Sequence, residues 1–120
     1  VWGPIIDGVA LQKHPIQALE TGDVQPLPII IGSVLEDSDI DIGLHASARE
    51  FWEYLQKLVP AQSVQEAYDM YLRDIKPYAN DTFHAGFSPA YWAARRVVAD
   101  RSMTCRACHV VRQWPVQAWQ

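Results

Sequence analysis

The order of apolar and polar positions changes period along the chain, and each change marks an element. Phe51, Trp52, Leu55, Leu58 and Val59 recur at helical spacing on one face, and Pro60 closes that run. Val64, Ala67, Tyr68, Tyr71 and Leu72 repeat at the same period behind Ser63-Val64-Gln65-Glu66, which has the form of a capping box. Ser88-Pro89 supplies an N-cap and a first-turn proline for a helix reaching about Ala99. From Cys105 to Trp114, Ala107, Cys108, Val111 and Trp114 share one side, and Pro115 stops the run. A short helix fits between Pro15 and Glu20, with Gly22 just past its end. Pro28-Ile29-Ile30-Ile31-Gly32 breaks this period: it is short, β-branched and apolar on both faces, the pattern of a strand covered by helices. Residues 76–88 read as a loop, and Val116 to Trp119 as the start of another strand.

These elements predict a helix-rich α/β class, with one central-type strand at about 28–32 and a second near 116–119. A strand buried on both faces needs neighbours on each edge, and this pattern offers too few. The expectation is a single segment, residues 1–120, of a larger α/β domain. The opening Val1-Trp2-Gly3-Pro4 and the closing Ala118-Trp119-Gln120 carry no leader, cap or turn signal, so the segment is expected to be truncated at both ends.

Composition narrows the function. Of 120 residues, 49% are hydrophobic and 20% charged, which places the chain among globular rather than disordered sequences. A net charge of −4 argues against a nucleic-acid binder or a polybasic membrane segment, each of which needs a basic face. The apolar runs are only a few residues long, so no membrane span is expected.

Two blocks carry a resemblance. Trp2-Gly3-Pro4-Ile5-Ile6-Asp7-Gly8 is followed by Leu11, Pro15, Ala18, Leu19 and Gly22, then by the strand Pro28 to Gly32 and an acidic turn, Ser33-Val34-Leu35-Glu36-Asp37-Ser38. Further on, Trp92 and Ala93 precede Ala99-Asp100-Arg101-Ser102-Met103-Thr104-Cys105. In order and spacing the chain resembles an internal to C-terminal segment of the type B carboxylesterase, cholinesterase-like family. That resemblance implies an α/β-hydrolase fold and a Ser nucleophile on a Gly-x-Ser-x-Gly elbow, with a His base and an acid that orients it. By position Asp37 is the triad acid, with Glu36 and Asp39 as the alternatives. The family's Gly after the acid is Ser38 here, and Asp39-Ile40-Asp41 replaces its following aromatic.

No Gly-x-Ser-x-Gly occurs in the chain, and His14, His45, His84 and His109 do not stand in the family's catalytic context. The resemblance therefore implies a hydrolase segment that holds only the acid, is inactive alone and needs no cofactor. The parent's partners would be a small ester substrate and the remainder of the hydrolase domain, and the resemblance points to the secretory pathway. A non-catalytic adhesion or scaffold relative shares the same fold.

A different class rests on Cys105-Arg106-Ala107-Cys108-His109, the attachment pattern of c-type haem, which would make the chain a small haem- or metal-binding helical domain. His109 would be the proximal ligand, and Met70 or another His would supply the sixth. The alternative is a helix start with small buried cysteines. A zinc site would need a second ligand pair, which the sequence does not offer. Asp37, Asp39 and Asp41 alternate as in a calcium loop, but Ile42 and Ala48 stand where Gly and Glu are required. Asp7 and Asp100 are expected to be buried or half-buried structural carboxylates, with Arg95, Arg96 and Arg101 as candidate partners of Asp100.

Overall fold

A computed structural model describes residues 5–35, 38–75 and 86–115, and the backbone of Ala118 and Trp119. The described chain is helix-rich. Five α-helices run in order as α1 (Pro15–Glu20), α2 (Ala48–Leu58), α3 (Val64–Ile75), α4 (Pro89–Ala99) and α5 (Cys105–Gln113). Two short strands, β1 (Ile29–Ile30) and β2 (Ala118–Trp119), accompany them. The chain divides into two compact units, one of Val1–Gly32 with Cys105–Gln120 and one of Ser33–Thr104.

The second unit holds the larger core. Phe51 and Leu55 of α2 are fully buried, as is Ile75 of α3, and they pack with Val64, Ala67 and the inward side of α4. Trp52, Leu58, Tyr68, Tyr71 and Leu72 sit half-buried around them, so the helical periodicity read from the sequence is the packing face. Helix α4 is the central element. Eight of its residues from Ala90 to Ala99 are buried, among them Ala93, Ala94 and Ala99 with no exposed surface, and small side chains let α2 and α3 approach closely. Aromatic rings add oriented contacts: Phe51 stacks on Tyr68 at 5.7 Å, and Tyr91 meets Trp92 edge to face at 5.3 Å.

Local chemistry sets the helix ends. Ser88 caps α4 by accepting from Tyr91 N, with Pro89 in the first turn. The capping box lies at Ser47–Glu50, ahead of α2: Glu50 N donates to Ser47 Oγ, and Ser47 N donates to Glu50 Oε2 at 2.8 Å. At Ser63, where the sequence pattern places a box, the chain instead forms a 3₁₀ turn over Ala61–Ser63 that runs straight into α3. A π-helical stretch, Asp100–Thr104, follows α4. In it Ser102 Oγ donates to Val98 O at 2.6 Å, a side-chain bond to the preceding turn that competes with the regular ladder. The loop expected at 76–88 is described only from Gly86 onward; residues 76–85 lie outside the described residues.

In the first unit, His14 Nδ1 accepts from Ile16 N and caps α1, while Gly22 takes a left-handed φ of +70° just after it, the conformation a glycine adopts without strain. Strands β1 and β2 pair in parallel, Ile29 opposite Ala118 and Ile30 opposite Trp119. Each strand is only two residues long, shorter than the five-residue run the sequence suggests. Ile29 is half-buried, whereas Ile30 is 87% exposed, so burial on both faces does not hold for the described residues. Trp114 Nε1 donates to Leu27 O at 2.7 Å and ties the end of α5 to the segment before β1.

Candidate functional site

The sequence singles out two groups of residues, and the structure treats them differently. Asp37 and Glu36 lie outside the described residues. Asp39 is exposed. Its neighbour Ser38, which stands where the resemblance expects Gly, acts as a structural tie, because its Oγ donates to Arg95 O at 2.8 Å, in the body of α4. Upstream, Ser33 Oγ and Thr104 Oγ1 share a hydrogen bond of 3.2 Å. The acidic turn is thus flanked by two anchored serines, each bonded to a residue more than fifty positions away in sequence.

Asp100 is half-buried, as expected, and accepts from Tyr71 Oη of α3 at 2.9 Å. Arg95 packs over the rings of Tyr91 and Trp92, 5.9 and 5.8 Å from their centroids, and its Nη1 donates to Tyr91 Oη. Asp7 departs from expectation. It is exposed, yet one of its oxygens accepts from Val9 N, Ala10 N and Leu11 N at 2.9–3.0 Å. Those backbone donors hold its carboxyl below the ordinary range. A short carboxylate that satisfies a turn's own N–H groups does not need a buried cation, and this is why the pairing rule misplaced it.

The second group gathers in the first unit. Cys105 is exposed and Cys108 half-buried on α5, neither in a disulfide, and His109 is exposed. Cys105, Arg106 and His109 line a cleft of about 460 Å³ together with His14 and Ile16 of the α1 segment. Residues 14 and 109 are far apart in sequence, so periodicity gave no signal of this meeting; the contact between α1 and α5 creates it. Among the described residues, no group of three His, Cys, Asp or Glu side chains is placed to hold a metal ion. Met70, a candidate sixth haem ligand, stands exposed on α3 in the other unit.

A smaller hollow of about 230 Å³ beside α2 is lined by Asp41, Glu50, Glu53, Tyr54 and Lys57 among others. Two of its carboxylates already have partners, Glu50 in the capping box and Glu53 with Arg49 at 2.9 Å. Among the described residues, no helix is long and apolar enough to cross a membrane. Comparison with protein-family models, with curated proteins and with solved structures finds no match to this chain.

Proposed function

We propose that this chain is a segment of a type B carboxylesterase-like serine hydrolase, in which Asp37 is the acid that orients the catalytic His. The observation that carries the reading is the parallel pairing of Ile29–Ile30 with Ala118–Trp119. Two strands 89 positions apart in register, with helices between them in sequence, are what a parallel sheet requires, since parallel neighbours need a crossover and cannot be joined by a hairpin. The exposed apolar side chains of the first unit point the same way. Ile5, Ile6, Val9, Leu27 and Ile30 are each at least half exposed in the first unit. A sheet with helices on both faces would cover such residues, and here they await the remainder of a domain.

Within that reading the segment supplies one carboxylate. It accepts from His Nδ1–H, fixes the tautomer and stabilises the imidazolium formed when the Ser attacks the ester carbonyl. The anchored serines on either side of the acidic turn would limit the carboxylate's drift, and catalysis is sensitive to such drift. The substrate is a carboxylic ester turned over through an acyl-enzyme.

The test is made in the complete parent protein with a short-chain p-nitrophenyl ester. Asp37→Asn is expected to lower kcat by about 10³- to 10⁴-fold, the scale on which a triad acid acts. Glu36→Gln and Asp39→Asn should stay within about threefold, because in this reading neither carboxylate orients the catalytic His. If Asp39→Asn alone collapsed the rate, the acid would be Asp39; if none of the three did, the hydrolase reading would fall.

A further inference from the structure

The cleft between α1 and α5 is not used by the hydrolase reading, and its chemistry is one-sided. It is lined by His14, Ile16, Cys105, Arg106 and His109, with no carboxylate among them. His14 Nδ1 already accepts from Ile16 N at 3.2 Å, so the proton of the neutral ring sits on Nε2, which acts as a donor. Arg106 offers five N–H donors and cannot lose its charge. The described ion pairs join Lys13 to Asp23, Arg49 to Glu53 and Arg73 to Asp74, and none engages Arg106. Ile16 adds an apolar wall, half-buried beside these donors. The volume falls in the range of pockets that take small molecules.

We infer that this cleft binds a carboxylate carrying a short alkyl chain, with Arg106 holding the carboxylate and Ile16 against the chain. A guanidinium fork matches two carboxylate oxygens, and charge-assisted bonds of this kind are roughly twice as strong as neutral ones. The alkyl group distinguishes the ligand from inorganic anions, which gain nothing from an apolar wall. Cys105 reports occupancy, because its thiol is exposed on the cleft's lining while Cys108 is half-buried on the same helix and does not line it. This binding does not rest on the hydrolase reading, since none of the residues lining the cleft has a part in the triad that reading assigns.

The experiment follows alkylation of both thiols of the 120-residue chain by N-ethylmaleimide, resolved by mass spectrometry, in the presence of sodium hexanoate, hexanamide or inorganic phosphate. Hexanoate is expected to slow Cys105 at least fivefold and to leave Cys108 nearly unchanged, with hexanamide and phosphate without effect. Arg106→Gln should raise the half-protecting hexanoate concentration at least tenfold, while Arg112→Gln, on the same helix but outside the lining, should not move it. Circular dichroism checks that both variants keep the helical content of the parent. Equal protection by phosphate would make the cleft a simple basic patch. Equal protection by hexanamide would leave the carboxylate without a role. Absence of protection, or equal reaction of the two thiols under all conditions, would equally overturn the proposal.

Discussion

Replacing Leu55 by Ala tests the packing of the second unit. Leu55 has no exposed surface and sits in the core with Phe51, Val64, Ala67 and the inner face of α4. Truncation removes three heavy atoms from a place where water cannot enter and neighbours relax only in part. Leu-to-Ala changes at such sites cost about 2–5 kcal/mol, the spread reflecting how far the cavity collapses. The cavity here is walled by helices on more than one side and by alanines that cannot swing into it, which places the expected loss near the middle, at about 3 kcal/mol. A unit the length of Ser33–Thr104 is held by only about 4–11 kcal/mol, so the change removes a large share of its stability. With a urea slope near 1 kcal/mol/M for a unit this small, the midpoint should fall by about 3 M. The control is Leu44→Ala: Leu44 is 49% exposed, and its loss should cost no more than about 0.5 kcal/mol. Urea titrations followed by circular dichroism at 222 nm separate the two. If Leu55→Ala and Leu44→Ala shifted the midpoint equally, the burial pattern of α2 and the core built on it would be wrong.

Three further outcomes follow from individual contacts. Ser47→Ala removes the hydroxyl side of the capping box at α2, the bonds between Ser47 Oγ and Glu50, while the backbone N–H of residue 47 still donates to Glu50; it should cost about 1 kcal/mol in the same titration. Backbone and side-chain bonds from Ser47 lower the Glu50 carboxyl, and backbone bonds from Leu11 and Val9 lower that of Asp7. Groups lowered by folding contribute stability above their unfolded values, near 4.5 and 3.8, and lose it as pH falls through the folded ones. Thermal melts should therefore weaken below about pH 4.5, and Ser47→Ala should reduce the Glu50 part of that slope without abolishing it, because the larger, backbone bond to Glu50 remains. Ser38→Gly, which restores the residue expected from the resemblance, should destabilise by about 1 kcal/mol through loss of the bond to Arg95 O, measured by chemical denaturation.

Much of the helical framework was legible because it is written locally. The Phe51–Val59 and Val64–Leu72 periods gave the faces that pack, and Ser88-Pro89 gave the start of α4. Pro15 and Gly22 bracketed α1 as the proline-first, glycine-last asymmetry requires. The misses have physical reasons. Ser63 and Ser47 both stand three residues before a Glu, and only the turn after Pro60 decides that Ser63 is consumed by a 3₁₀ segment. The π stretch at Asp100–Thr104 coincides with a side-chain bond from Ser102 to Val98 O, which has no sequence period. Strand β1 looked buried because three isoleucines in a row read as apolar on both faces, yet exposure is set by what lies across the sheet.

The candidate sites divide along the same line. In the sequence Ser38 stands only as a departure from the family's glycine, and its bond to α4 is a non-local fact that no spacing encodes. The cysteines were legible as a motif, but their setting was not, because His14 reaches the cleft from the other end of the chain. The acid assignment to Asp37 rests on sequence position, and its physical test is functional.

Whether this chain is one segment of a serine hydrolase is decided by reading the coding sequence on both sides of it. An open frame is expected to continue upstream to a Gly-x-Ser-x-Gly elbow and downstream to a catalytic His. Stop codons close to both ends, or an upstream frame whose elbow holds a residue other than Ser, would contradict the hydrolase assignment.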